Sequence, residues 1–364
     1  MPRDYFYELS ARQVKKGHEV DVITWNRNGH SLEEVVDEGF VIHRLPGLNF
    51  SLDGMIREYP FLPGLPAKIE MLNPDIVHAE SHLFFSSVQA IRKAKSLGLP
   101  CVISVHGVFA ERRFALNLAQ LAYLRTLGLG VFRSADRVVC LTRSEAEEVV
   151  RFGCPSEKIR LIPNAVDTEL FMPCEDREDC LVVWVGRFVP EKGVQYLVMA
   201  ARIVAERRKD VRFLLVGYGP LKARIMKLAQ DFGLLDKSIY ILGPLSREEI
   251  AEILSKASVF SFPSLKEGMP LSVLESMASA VPVVGSNIPG INDVIINGEN
   301  GILVPPRNPE ALANAIMLLL EDRGLRRKLG QNARRLMIEK YSWDVITEKI
   351  EKVYADASEM FSQT

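Results

Sequence analysis

Residues 181–193 read LVVWVGRFVPEKG, and the first six of them decide the fold. An unbroken apolar run, rich in β-branched residues and closed by Gly186, reads as a strand buried on both faces. That is the environment of a parallel sheet covered by helices. Outward from this run the same rhythm repeats. Toward the C-terminus, apolar runs recur at 211–217 (VRFLLVG), 238–242, 258–262 (SVFSF) and 301–304. Toward the N-terminus they lie at 18–25 (HEVDVITW), 40–45, 75–79, 100–106, 136–142 and 159–162, with helical windows such as 84–97 and 143–152 between them. The stretch 162–179 (IPNAVDTELFMPCEDRED), rich in Pro, Asn and acid, reads as a linker with a hinge near 163–175.

This alternation predicts an α/β fold of two Rossmann-like, doubly wound domains facing a cleft. The expected division is 1–165, joined by a C-terminal helix at 344–364, and 166–343. A doubly wound half should open with a strand whose first turn carries a glycine-rich loop, and in the order 3-2-1-4-5 that strand is central. Here a helical window, 4–16, comes first. The N-terminal domain is therefore expected to lack its first strand, with roughly 15–25 residues upstream of Met1.

A length of 364 residues suits two domains, and 48% hydrophobic with 25% charged residues excludes wholesale disorder. With 45 Lys and Arg against 46 Asp and Glu, the net charge of −1 carries no nucleic-acid signature, and no nucleic-acid partner is expected. Cysteines at 101, 140, 154, 174 and 180 form no CxxC pair, which argues against a disulfide scaffold or zinc site and for a reducing compartment. The N-terminus has no signal-peptide core. Residues 114–132 are interrupted by Asn117, Gln120 and Arg125, and 276–292 by Pro282, Gly285, Pro289 and Gly290, so neither reads as a bilayer span.

The loops at the carboxyl ends of the strands are where ligands bind in such folds. Arg187 and Lys192 would place two fixed cations at the mouth of the sheet, as a pyrophosphate needs; a solvated strand-end pair is the plainer alternative. The segment 263–275 (PSLKEGMPLSVLE) supplies Glu267 in a loop, Gly268, and Pro270 at the start of a helix whose free N–H groups suit an anion. Glu275, inside that helix, is either a simple helix charge or a carboxylate that accepts sugar hydroxyls. The Gly217-Tyr218-Gly219 triplet lacks the third glycine of a dinucleotide fingerprint.

Together GRFVPEKG, the seven residues separating Glu267 from Glu275, and NGENGILVPP (297–306) resemble the retaining GT-B glycosyltransferases of family 4. PDIVHAES (74–81), SVHG (104–107), IPNAVD (162–167) and LGPLSREEIAEIL (242–254) follow in matching order. The likeness spans the whole chain and is most specific in its C-terminal half. Ala165, Ala280 and Asp293 depart conservatively from the family pattern.

The resemblance implies that Arg187 and Lys192 hold a donor diphosphate after Gly186, that Glu267 approaches the donor sugar, and that Glu275 binds the ribose. It further implies that Gly268, Met269, Pro270 and Leu271 touch sugar and phosphates, and that Pro244 and Leu245 lie along the base. His106 matches a histidine near the transferred sugar, although a lone histidine at a strand end is more often structural. Catalytic work would fall to His106, Glu267, Arg187 and Lys192, with no metal and no cofactor.

The expected activity is transfer of a hexose from a UDP- or GDP-sugar to the hydroxyl of a lipid, saccharide or small molecule, with retention. A nucleotide-sugar epimerase and a catalytically weak nucleotide-sugar-binding protein are the alternatives. The stretch 84–133 holds seven Lys or Arg against one Glu. It fits either an anionic acceptor or membrane surface, or a solvated helix face with arginine stems packed on the core. The expected location is the cytoplasm, with peripheral contact at the inner face of the membrane.

Overall fold

The structure is a computed structural model that describes residues 5–27, 29, 31–49, 60–107, 121, 123–174 and 177–362. The chain divides into two compact units, residues 1–163 with 346–364, and residues 164–345.

In the first unit, α1 (Tyr5–Lys15) precedes β1 (Asp21–Trp25), β2 (Glu33–Val35) and β3 (Val41–Leu45). These strands form one sheet in the order β1-β3-β2, β1 parallel and β2 antiparallel to β3. The short strands β4 (Leu48–Asn49) and β5 (Pro60–Phe61) pair antiparallel. After α2 (Leu65–Leu72), strands β6 (Val77–Glu80), β7 (Cys101–Ser104), β8 (Arg137–Cys140) and β9 (Ile159–Leu161) form a parallel ladder in chain order. They alternate with α3 (Phe85–Ser96), α4 (Leu129–Ser134) and α5 (Arg143–Arg151). The apolar alternation places Ile91, Cys101, Ile103, Phe132 and Val138 in one core, and Ile23, Trp25 and Leu45 of the other sheet pack against it. β1 ends one sheet and β6 ends the other.

The second unit is one parallel sheet ordered β12-β11-β10-β13-β14-β15. Its strands are β10 (Leu181–Val185), β11 (Arg212–Val216), β12 (Ile239–Leu242), β13 (Val259–Phe262), β14 (Val283–Ser286) and β15 (Gly301–Val304). The covering helices are α6 (Val194–Arg207), α7 (Lys222–Asp231), α8 (Arg247–Lys256), α9 (Leu271–Ala278), α10 (Pro309–Glu321) and α11 (Arg323–Leu336). Trp184, Phe188, Phe213, Phe260 and Phe262 are completely or almost completely buried, each contributing about 1.5–3 kcal/mol by leaving water. The helix starts follow local chemistry. Ser246 and Glu249 form a reciprocal capping box on α8, and Asn308 caps α10. The C-terminal helix, Trp343–Ser362, returns to the first unit from Ile346 onward.

Candidate active site

In the second unit the strand order turns around between β10 and β13, so the crossovers from these two neighbours run in opposite directions along the sheet. Both loops carry the residues singled out above. Gly186 follows β10, exposed Arg187 comes next, and Lys192 closes a single 3₁₀ turn, Pro190–Lys192. Gly193 then takes φ +60, and a Cβ there would stand 2.1 Å from the Pro263 carbonyl oxygen. Only glycine lets the backbone come this close, and Leu265 N donates to Glu191 O across the same seam at 2.7 Å.

That approach brings Lys192 and Glu267 together. The ammonium lies 2.7 and 2.9 Å from the two Glu267 oxygens and 5.1 Å from the centre of the Phe262 ring. Ser264 Oγ donates to Glu267 Oε1 at 2.5 Å. Ser264 is fully buried; its role in fixing the carboxylate was not anticipated from sequence.

Past exposed Gly268, buried Met269 is held by Asn164, whose Nδ2 donates to the Met269 carbonyl at 2.9 Å. Pro270 occupies the cap position of α9, one residue before the helix rather than inside it, and exposed Leu271 begins the helix. Glu275 is half-buried. Burial pushes its carboxyl up to about 7, a rise that the Arg247 charge partly offsets. Pro244 and Leu245 follow β12, at the same edge of the sheet but with β11 between β12 and β10.

The triplet Gly217-Tyr218-Gly219 is structural. A Cβ at Gly217 would meet the Gly186 carbonyl oxygen at 1.9 Å, and Phe188 N donates to Tyr218 O at 2.7 Å. These glycines seat the β11 loop directly on the Arg187 loop.

The far end of α9 is closed by two arginines. Arg177 donates to the Ser279 and Ala280 carbonyls at 2.6 and 2.7 Å. Arg334 donates to the Ala278, Phe171 and Thr168 carbonyls. Burial lowers the pKa of both guanidinium groups. Cations at this end complement the helix dipole, whose positive end lies at Leu271.

In the first unit His106 follows β7, half-buried, beside the end of β6. Its Nε2 lies 2.7 Å from Glu80 Oε2. Glu145 of α5 accepts from the Gly107 and Leu141 N–H groups at 2.5 and 2.6 Å, and burial pushes its carboxyl up to about 7. Glu80 and Glu145 were likewise not anticipated from sequence. Of the basic stretch, Lys93 pairs with Glu70 and Lys95 with Asp136, while Arg92, Arg125 and Arg133 are exposed. Arg112 and Arg113 lie outside the described residues. Among the described residues no three His, Cys, Asp or Glu side chains gather as metal ligands would, and no helix is long and apolar enough to cross a membrane.

A doubly wound sheet whose switch-point loops carry Arg187, Lys192 and a helix start is an arrangement that can receive an anionic ligand. Residues 173–336 match the family Glycosyl transferases group 1, and residues 4–170 match Glycosyltransferase Family 4. The chain belongs to this group 1, family 4 class of glycosyltransferases and has the GT-B fold.

It is 30% identical to an MMP alpha-(1->4)-mannosyltransferase of Mycolicibacterium hassiacum, over 78% of this chain and 71% of that protein. It is 29% identical to the Escherichia coli UDP-Gal:alpha-D-GlcNAc-diphosphoundecaprenol alpha-1,3-galactosyltransferase, over 96% and 92%. A solved sucrose-phosphate synthase from Thermosynechococcus elongatus superposes with a TM-score of 0.82 at 24% identity, covering 99% of this chain and 93% of that one.

Proposed function

We propose that this glycosyltransferase moves a hexose from a UDP- or GDP-sugar to an acceptor hydroxyl, with retention at the anomeric carbon and without a metal. The observation that carries the reading is the meeting of the Lys192 and Glu267 loops beside the start of α9. Two of the three ammonium hydrogens of Lys192 face Glu267, which leaves a third for a phosphate oxygen. Because Lys192 and Glu267 neutralise each other, an arriving diphosphate is attracted by Arg187 and the N–H groups of α9. Those donors stabilise the charge that builds on the departing diphosphate, the largest catalytic effect available at such a site. In the family's front-face course, the leaving phosphate takes the acceptor proton. Gly186 and residues Gly268–Leu271 line the sugar and phosphates, Pro244 and Leu245 the base, Glu275 the ribose, and His106 the transferred sugar.

A lipid-linked acceptor is the choice supported by the Escherichia coli relative, whose name gives alpha-D-GlcNAc-diphosphoundecaprenol as its acceptor. Exposed Arg92, Arg125 and Arg133 would then meet an anionic lipid surface from the cytoplasmic side. The test is incubation with UDP- and GDP-hexoses in 5 mM EDTA with a polyprenyl-diphosphate-sugar acceptor. Product NMR then reads the anomeric configuration. An inverted linkage, or activity restored only by magnesium or manganese, would refute the mechanism.

A further inference from the structure

The polar residues around His106 form a connected group that the transfer reaction, as described, does not use. From β6, Glu80 meets His106 Nε2 at 2.7 Å, and His78 stands 3.7 Å from the other Glu80 oxygen. His78 is itself held on both nitrogens, by Ser104 Oγ at 2.8 Å and Tyr354 Oη at 2.7 Å. Gln13 of α1 donates to the same Tyr354 hydroxyl at 3.1 Å. Tyr5 and Phe6, also on α1, stand T-shaped to the His106 ring at centroid distances of 5.9 and 6.4 Å. Four elements of the first unit therefore meet around one carboxylate, Glu80, and two imidazoles, His78 and His106.

Only one ring nitrogen of His106 is engaged. A carboxylate accepts and never donates, so Glu80 requires a proton on Nε2. Nδ1 has no partner among the described residues, and 29% of the side chain is exposed. We propose that Glu80 is the positioning residue of His106: it locks the ring and keeps the proton on Nε2, so that Nδ1 is the nitrogen offered to a substrate oxygen. This rests on the reading of His106 as a substrate-contacting residue.

The charges facing the ring are Glu80 on β6 and Glu145 on α5, with His78, Tyr5 and Tyr354 as the neighbouring titratable groups. Burial disfavours a charged His106, but the Glu80 bond and charge, with Glu145 behind, outweigh it and raise the pKa. Burial lowers the pKa of His78 and favours its neutral form. His106 is thus the imidazole that takes a charge, and Nδ1 becomes a charged donor.

The experiment is a histidine ¹⁵N NMR titration of the full chain, its Glu80→Gln and Glu80→Asp variants and His106→Ala. In parallel, the pH profile of UDP or GDP release is followed with whichever hexose nucleotide the parent turns over fastest. Glu80→Gln should lower the His106 midpoint and move one limb of the release profile with it, leaving the donor KM nearly unchanged. Glu80→Asp, which keeps the charge and is the fallback if the amide variant fails to fold, should restore part of both shifts. An unmoved His106 midpoint in Glu80→Gln, or a Glu80→Asp midpoint lowered as far as that of Glu80→Gln, would overturn the positioning role. Parental release by His106→Ala, with the midpoint still moving in Glu80→Gln, would instead overturn the substrate-contacting reading, and the positioning role with it.

Discussion

Lys192 and Glu267 form a two-pronged ion pair, with side chains only 17% and 8% exposed. Removing one partner leaves a desolvated charge, which costs far more than the pair contributes. Lys192→Ala should therefore lower stability by about 1–3 kcal/mol and weaken UDP binding much more than uridine binding. Urea denaturation and calorimetric titration with both ligands would check this. Equal losses for UDP and uridine would show that Lys192 does not face the diphosphate.

Arg187→Ala offers the contrast. The side chain is exposed and has no ion-pair partner among the described residues. Stability should change by less than about 0.5 kcal/mol, while UDP affinity falls by tenfold or more, the loss of one charged hydrogen bond. Unchanged UDP affinity in calorimetry would contradict the assignment.

Glu275 makes stability depend on pH in a defined direction. The unfolded carboxyl releases its proton near 4.5, whereas burial lets the folded chain keep it up to about 7. Over that window the folded state holds the extra proton, so stability is fully present below 4.5 and falls as pH rises through 7. The loss is on the order of 2–3 kcal/mol. Glu145 behaves in the same sense. Glu275→Gln should flatten part of the slope between urea curves recorded at pH 5 and pH 8; an unaltered slope would rule Glu275 out as its source.

Ala280 sits at φ +54, a left-handed conformation that L-residues avoid. Ala280→Gly relieves this strain but loosens the unfolded chain. The net gain should be about 0.5–1 kcal/mol, or about 2–4 °C in the melting of the second unit. A lower melting temperature would mean that the methyl packing outweighs the strain.

Arg334→Met should destabilise the second unit by about 2–4 kcal/mol, because three carbonyls lose a charged donor. Since these bonds are to neutral carbonyls, the loss should persist in 0.5 M NaCl, unlike that of a surface ion pair. Scans at two salt concentrations decide the point.

Much of this was legible in the sequence because buried parallel strands announce themselves. The run at Leu181–Val185 and its companions at Arg212–Val216 and Val259–Phe262 fell where continuous apolar stretches placed them. Val283–Ser286 does not announce itself as a strand, since Pro282 and Gly285 resemble loop punctuation. The three-residue β2 is exposed throughout and shows no apolar pattern. In the site, motif spacing located Lys192, Glu267 and Glu275 but could not show that the first two bind each other. That contact depends on the Gly193–Pro263 approach, a tertiary fact. Glu80, Glu145 and Ser264 were missed for the same reason: each acts on a neighbour far away or around a turn, with no periodicity to mark it.

The Lys192–Glu267 contact joins residues 75 apart in the chain, across two neighbouring parallel strands. Closing so long a loop precedes any gain from the contact, so it belongs to the late, slow part of folding. Nascent or partly refolded second units would hold both loops yet no assembled pair. Nucleotide affinity during refolding should therefore appear in one step, together with the last of the native sheet, and the ligand would act as a trap for finished molecules.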